Sequence, residues 1–162
     1  MSASILLIYT GGTIGMIRDA ESGILKPFDF DHLMAQIPEL KNFNYKIDTR
    51  SFSKPIDSSN MSPTIWAKLA TIIYDNYADY DGFVILHGSD TMSYTASALS
   101  FMLQGLQKPV ILTGSQLPIG VIRTDGKENL ITAIEIASSK SGTAFTNFCL
   151  LYRSTAISYF LS

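Results

Sequence analysis

The chain repeats one pattern of hydrophobic and polar positions three times. Residues 4–9, 82–87 and 109–113 are short and almost wholly apolar, and each run ends in a turn of small residues. A continuous apolar run of this length is typical of a strand that is buried on both faces, as the central strands of a helix-covered parallel sheet are. The pattern therefore predicts three buried parallel strands.

Amphipathic helices are predicted between and after these strands. Residues 62–77 begin with Ser-Pro, a good helix start, and place Ile65, Leu69, Ile72 and Ile73 on one helical face. Further helices are predicted near residues 31–37, 93–104 and 126–138, and a further strand around residues 45–53. Strands that alternate with helices predict a three-layer α/β/α fold with a mainly parallel sheet.

The three small-residue turns should meet at one edge of that sheet. Parallel strands end at the same edge, and in open α/β sheets this edge is where ligands bind. Residues 21–23 and 119–126 have the composition of loops. We therefore expect the functional residues of the protein to lie in these turns.

Composition excludes several classes of function. Of the 162 residues, 46% are hydrophobic and 16% charged, with a formal charge of -2 and no run of Lys or Arg, which argues against nucleic-acid binding. No apolar run approaches the roughly 20 residues of a membrane helix. Two histidines and Cys149 form no cluster that could bind a metal. The single cysteine and the missing secretory signal predict a cytoplasmic protein.

The first turn, residues 9–15, joins two glycines to a threonine at the end of a strand. The glycines let backbone amides approach a ligand closely, and Thr13 offers a hydroxyl that could act as a nucleophile. The turn lacks both the Gly-Lys-Ser/Thr ending of a phosphate loop and the spacing of a dinucleotide fingerprint, so nucleotide binding has weak support. A plain tight turn capped by Thr13 is the alternative.

The second turn, residues 87–91, places the hydroxyl of Ser89 next to the carboxylate of Asp90. Such a pair can hold an ammonium group in a partly dry site and assist a proton transfer. Asp90 could instead simply cap the following helix. For His87 a structural role is favoured over a chemical one.

Two further segments add small polar groups. Residues 57–60 are Asp-Ser-Ser-Asn before a helix start, which suits the binding of a carboxylate but is also an ordinary loop composition. Residues 113–116 could supply a backbone carbonyl to an amide ligand, or form a plain turn. Each segment gains meaning only in combination with the others.

Together these motifs resemble the bacterial-type L-asparaginases, especially the cytoplasmic type I branch. The resemblance rests on residues 9–16, 57–59, 87–92 and 113–116 in that order, and covers about residues 4–138. It implies an asparaginase amino-terminal domain over residues 1–142. It further implies a divergent tail over residues 143–162 and the absence of the family's carboxy-terminal domain.

The resemblance also implies an activity and its residues. Members hydrolyse L-asparagine to L-aspartate and ammonia, without a cofactor, through an acyl-enzyme on a threonine in a homo-oligomer. Thr13 matches that threonine, and Ser89 with Asp90 the second catalytic pair, with Asp90 also binding the α-amino group. Ser58 and Ser59 match positions that hold the α-carboxylate and α-amino group, Ser115 the position whose carbonyl faces the side-chain amide, and Asp57 and Gly88 complete the substrate-binding set.

Three departures from the family pattern limit this expectation. Ser89 replaces the usual threonine, which keeps the hydroxyl but loses the methyl group that restricts its rotamer. Ile24 stands near the place of an activating tyrosine, and no lysine follows Lys140, although the family completes its triad with a later lysine.

We therefore expect this chain to be weak or inactive alone and to self-associate through apolar surface that a second domain would cover. The main alternative is a non-catalytic remnant of the fold that binds an amino acid. A nucleotide-binding Rossmann domain is a third hypothesis, which the same pattern supports less well.

Overall fold

The computed structural model describes residues 2–19, 22–27, 37–139 and 148–151. Within these ranges the strands are β1 (Ser4–Gly11), β2 (Met16–Arg18), β3 (Leu25–Pro27), β4 (Lys46–Ile56), β5 (Gly82–Leu86), β6 (Val110–Thr113) and β7 (Phe148–Leu151). The α-helices are α1 (Pro63–Asp75), α2 (Met92–Met102) and α3 (Gly126–Ser138). Short 3-10 turns lie at Thr13–Gly15, Pro38–Asn42, Ser58–Asn60 and Ser89–Thr91.

Five of these strands form one parallel sheet in the order β4-β1-β5-β6-β7, while β2 and β3 form a separate antiparallel hairpin. Leaving the hairpin aside, this is the doubly wound order 2-1-3-4-5. Its order reverses between β1 and β5, and ligands of such folds bind outside the carboxyl ends of the strands at that point. The topology therefore predicts a ligand site at the turns that follow β1 and β5.

Side chains alternate between two hydrophobic layers along β1. Ile5 and Leu7 enter the layer that contains α3, whereas Leu6 and Ile8 enter the layer that contains α1 and α2. All four are at most 1% exposed, and burying each such side chain contributes about 1.5–3 kcal/mol. Because helices cover both faces, the predicted three-layer α/β/α architecture is confirmed.

The predicted elements shift by a few residues in the structure. The three described helices begin and end within two residues of their predicted bounds, and β4 extends three residues beyond the predicted strand to Ile56. The helix expected at residues 31–37 falls mostly outside the described residues. The strand β7 lies inside the segment predicted as a divergent tail and pairs in parallel with β6.

The described helices are short relative to a bilayer. In this part of the chain, none of them combines the length and the apolar character that crossing a membrane requires.

Candidate active site

Glycine backbones bring the turns after β1 and β5 into direct contact. Gly12 has a φ of 84°, in the left-handed region that favours glycine. A Cβ added to Gly12 would lie 2.5 Å from the backbone nitrogen of Gly88. One added to Gly11 would collide with the carbonyl oxygen of Ile56 at the end of β4. Backbone atoms cannot rotate aside, so the ends of three neighbouring strands meet here only because both positions are glycine.

Ser58 joins this contact from the turn after β4. A Cβ on Gly88 would lie 2.5 Å from Ser58 Oγ, and the side chain of Ser58 is buried. Its hydroxyl donates to Asp90 Oδ2 over 3.4 Å. The hydroxyl of Thr91 donates to the carbonyl oxygen of Ser58 over 2.6 Å. These contacts fix the turn at Ser58 against the turn that carries Asp90.

Asp57 and Ser59 form the outer rim of the same turn. The carboxylate of Asp57 accepts hydrogen bonds from the backbone nitrogen of Ser59 at 3.0 Å and from its hydroxyl at 2.9 Å. The backbone hydrogen bond first, and the hydroxyl second, lower the pKa of Asp57. Both residues are exposed. Asp57 therefore holds the shape of the turn while Ser58 faces inward.

Thr13 and Ser89 each follow one of the two glycines that form the contact between the turns. Thr13 follows Gly12 directly and is half-buried, and Ser89 follows Gly88 and is exposed. Within the described ranges, neither side chain has a hydrogen-bond partner. Both hydroxyls can therefore meet a ligand without first breaking a bond within this part of the protein.

Asp90 gives this edge of the sheet a negative group. Its carboxylate is exposed and accepts the bond from Ser58, and no lysine or arginine of the described residues pairs with it. A carboxylate that is held in place but lacks a cation is suited to binding the ammonium group of a small molecule. Over the same described ranges, no three metal-binding side chains cluster together.

Tyr9 supports the first turn from inside the sheet. Its ring lies against Gly15, where any side chain would collide with it, and its hydroxyl donates to the carbonyl oxygen of Gly12 over 3.4 Å. Burial raises the pKa of Tyr9 to about 12, so the phenol is uncharged at neutral pH. This role of Tyr9 was not predicted, although the sequence offers one signal for it, an aromatic residue two positions before a glycine pair.

His87 is a buried connection between the second turn and two helices. Its Nδ1 lies 2.6 Å from the carbonyl oxygen of Gly88, and its Nε2 lies 2.9 Å from Thr95 Oγ1 on α2. Trp66 on α1 donates from Nε1 to the same oxygen of Thr95 over 2.9 Å. Burial lowers the pKa of His87, and the Gly88 carbonyl opposes this in part. The imidazole is therefore neutral at pH 7.

The third turn is held by its own side chains. Ser115 is buried and donates its hydroxyl to the carbonyl oxygen of Leu117 over 2.5 Å. The carboxylate of Asp125 accepts from the backbone nitrogens of Gln116 and Leu117 at 3.1 and 3.3 Å. The Ser115 side chain thus maintains the shape of the turn.

Asn129 anchors the third turn to α3. Its amide donates to the carbonyl oxygen of Gly114 over 2.8 Å and approaches Asp125 Oδ2 at 3.5 Å. A Cβ on Gly114 would collide with the carbonyl oxygen of His87, so the third turn also touches the second. Asp125 and Asn129 were not predicted as part of this turn, although their spacing of four at a helix start places them on one face.

The predicted site residues thus fall into two groups. Thr13, Ser58, Gly88, Ser89 and Asp90 lie where the first, second and β4 turns meet. The other three, Asp57, Ser59 and Ser115, lie around that meeting point. Ile24, which stands in place of the expected tyrosine, is 64% exposed.

The sequence matches one family along nearly all of its length. The model of the family described as Asparaginase, N-terminal, matches residues 4–156. L-asparaginase 1 of Escherichia coli is 47% identical over 137 residues, which cover 84% of this chain and 40% of that protein.

Solved structures give the same result. The crystal structure of L-asparaginase I from Vibrio cholerae has a TM-score of 0.82 at 40% identity, covering 94% of this chain and 45% of that one. A structure described as that of a probable cytoplasmic L-asparaginase from Campylobacter jejuni has a TM-score of 0.74 at 30% identity, with coverage of 94% and 45%. This chain spans less than half the length of these relatives.

Proposed function

This chain belongs to the asparaginase family, whose amino-terminal domain it matches, and from that premise we propose that it acts in the hydrolysis of L-asparagine to L-aspartate and ammonia. The observation that carries the proposal is the contact between Gly12 and Gly88. Because of it, the hydroxyl of Thr13 stands next to the turn that carries Ser89 and Asp90. A nucleophile and a site for an amino acid are thereby neighbours.

Substrate binding follows from the charges of an amino acid. The α-ammonium group pairs with the carboxylate of Asp90, which the Ser58 hydroxyl orients. Ser58 and Ser59 supply hydroxyl and backbone donors for the α-carboxylate, in a turn that Asp57 holds in shape. Two opposite charges on the ligand then fix its orientation, which directs the side-chain amide toward Thr13.

Catalysis uses the hydroxyl of Thr13 as the nucleophile. Its oxygen forms a bond to the side-chain carbonyl carbon of asparagine, the C–N bond breaks, and ammonia leaves with the proton of the hydroxyl. Water then attacks the resulting ester, which releases aspartate and restores Thr13. Ser89 and Asp90 assist the proton transfers, and backbone amides of Gly12 and Gly88 stabilise the oxyanion.

The backbone carbonyl of Ser115 and the setting of the enzyme complete the proposal. The carbonyl accepts a hydrogen bond from the amide group of the substrate, and no cofactor takes part in the reaction. The exposed Tyr94 and Phe101 on α2 support a homo-oligomer. The single Cys149 and the description of the Campylobacter jejuni relative support a cytoplasmic location.

One observation favours a second candidate function, the binding of an amino acid without turnover. Among the described residues, no lysine or histidine nitrogen forms a hydrogen bond with Thr13 or Ser89. A threonine hydroxyl is a weak nucleophile unless an adjacent base activates it. A site with this shape but without such a base would still hold aspartate or asparagine.

Ammonia release from L-asparagine by the purified 162-residue chain tests the proposal. We expect weak release that Thr13→Ala abolishes without loss of folding. Thr71→Ala is the matched control, because Thr71 is exposed on α1 and donates only to the carbonyl oxygen of Ala67.

The outcomes separate the two candidates. Release that persists in Thr13→Ala would overturn Thr13 as the nucleophile. Absence of release, together with a melting temperature that L-aspartate raises, would favour binding without turnover. Absence of both would overturn both functions.

A further inference from the structure

A continuous line of hydrogen bonds connects α1 to the backbone of the second turn. It runs from Trp66 Nε1 to Thr95 Oγ1 over 2.9 Å, and from there to His87 Nε2 over 2.9 Å. It ends at the carbonyl oxygen of Gly88, 2.6 Å from His87 Nδ1. Thr95 and His87 are both fully buried. The proposed chemistry uses no side chain of this line.

The two ends of the line fix the direction of every bond within it. An indole nitrogen can only donate and a backbone carbonyl can only accept. Trp66 must therefore donate to Thr95, and His87 must donate from Nδ1 to Gly88. In a neutral imidazole the other nitrogen is then an acceptor, which receives the hydroxyl proton of Thr95. The line satisfies each group once and selects a single tautomer of His87.

A protonated imidazole would not fit the same line. Its Nε2 would donate to Thr95 Oγ1, which can accept a second hydrogen bond beside that from Trp66, but the hydroxyl proton of Thr95 would lose its acceptor on His87. Both nitrogens donate in the charged form, and the residues of the line are arranged for only one donor. The arrangement therefore favours the neutral ring.

The last bond of the line sets the orientation of a peptide group. The Gly88–Ser89 peptide is trans, so its carbonyl oxygen and its N–H point to opposite sides. Because the carbonyl is held by the buried His87, the amide of Ser89 points away from the core. Ser89 and Asp90 follow directly from this fixed plane and lie at the carboxyl ends of β1 and β5.

We propose that His87 is a positioning residue, held as the Nδ1–H tautomer by Thr95 and Trp66, that fixes the Gly88–Ser89 peptide and thereby the turn that carries Ser89 and Asp90. The effect on substrate rests on the proposed function. The tautomer and its coupling to the peptide do not depend on it. His87 itself does not touch the ligand.

The test uses ¹⁵N nuclear magnetic resonance of the full chain at pH 7.5. We expect His87 to show a protonated Nδ1 and an unprotonated Nε2. Trp66 is the only tryptophan of the chain, so its indole N–H signal reports on this line alone. A wild-type His87 in the Nε2–H tautomer would overturn the proposal.

Variants of Thr95 separate positioning from a merely structural role. Thr95→Val keeps the shape but removes the hydroxyl, and Thr95→Ser keeps the hydroxyl. We expect Thr95→Val to shift the indole signal of Trp66 and the amide signal of Ser89, and to weaken L-aspartate binding about tenfold. Thr95→Ser should retain wild-type values for all three. If Thr95→Val folds and leaves the Trp66 and Ser89 signals unchanged, the proposal is wrong.

His87 variants test the last bond directly. Asn places an amide donor near the position of Nδ1, so His87→Asn should keep the Ser89 amide signal near that of the wild type, whereas His87→Leu should shift it. Equal shifts in the two variants would overturn the proposal. These signals need no substrate, so failure of asparagine hydrolysis alone would contradict the proposed function and leave this inference standing.

Discussion

Charged and polar side chains link neighbouring strands at the amino ends of the parallel sheet, whereas at the carboxyl ends glycine backbones pack directly against one another. At the amino ends Asp48 pairs with Lys46 at 2.9 Å and accepts from Tyr80 at 2.9 Å. Nearby, Asp81 accepts from the backbone nitrogen of Ser4 at 2.8 Å. At the carboxyl ends the turns touch through glycine atoms. Hydrogen bonds that Ser58 forms with Asp90 and Thr91 support that contact, whereas the hydroxyls of Thr13 and Ser89 take no part in it.

The difference explains how one sheet can carry both stability and chemistry. Partly exposed ion pairs contribute little, and their loss is easily tolerated. Glycine contacts leave the hydroxyls of Thr13 and Ser89 unbound by neighbouring described residues, yet allow no other residue at Gly11 or Gly12. Substitution of these glycines at the carboxyl ends should therefore be costly, while the hydroxyls of Thr13 and Ser89 stay available to a ligand. At the amino ends, the loss of an exposed ion pair should cost little.

Gly12→Ala should give the largest effect on this comparison. The added methyl would meet the backbone of Gly88 at 2.5 Å with φ at 84°, so we expect a loss of about 3 kcal/mol or more in the free energy of unfolding, measured with urea. Gly105→Ala is the matched control, with φ at 76° but open space around it. It should lose only about 1 kcal/mol. Equal losses would show that the contact with Gly88 is unimportant.

Asn129→Ala should have the next largest effect. It leaves the buried carbonyl oxygen of Gly114 without its donor, and an unsatisfied buried polar group costs about 1–3 kcal/mol. Urea denaturation measures the loss, and the exposed Asn60→Ala serves as the control. A stability equal to that of Asn60→Ala would mean that the third turn does not depend on α3.

Acid should lower the free energy of unfolding through the protonation of His87. Burial holds its pKa in the folded protein below the unfolded value, which is about 6.5. The unfolded chain then binds more protons between the two values, so the free energy of unfolding falls as pH drops below about 6.5 and levels off below the folded pKa. His87→Asn should remove this part of the pH dependence. Identical pH profiles for the two proteins would contradict the account.

Asp48→Asn should have the smallest effect. The hydrogen bond from Lys46 first, and that from Tyr80 next, lower the pKa of Asp48 against the effect of its slight burial, but the pair is exposed to solvent and screened by salt. We expect a smaller shift in melting temperature than for Asn129→Ala, and no difference from the wild type in 1 M salt. A larger shift than that of Asn129→Ala would reverse the comparison.

The sequence predicted the central elements because burial makes them uniform. Residues 4–9 and 82–87 are apolar at nearly every position, since helices cover both faces of β1 and β5. The edge strand β4 is fully buried only at Phe52 and carries polar residues at most of its other positions, so the sequence signal for its end at Ile56 was weak. The β2 and β3 strands of the hairpin have only three residues each, which is too short for a recognisable pattern in the sequence.

The residues of the candidate site also divide into those that the sequence predicts and those that it does not. Thr13, Ser58 and Asp90 stand in motifs of adjacent residues, so reading along the chain was enough to propose them. Trp66 and Thr95 are 29 positions apart and meet only when α1 packs on α2. No local sequence pattern predicts such a pair, and its connection to His87 forms only when the chain is folded.

The most direct test of the central claim is to identify the residue that reacts with an electrophilic substrate analogue. An L-asparagine analogue with a diazoketone in place of the amide forms a covalent bond to an oxygen nucleophile as nitrogen gas leaves, and peptide mapping by mass spectrometry locates the bond. The account predicts a label on Thr13 that excess L-aspartate prevents. A label on Ser89, or no label on a folded chain that binds L-aspartate, would contradict it.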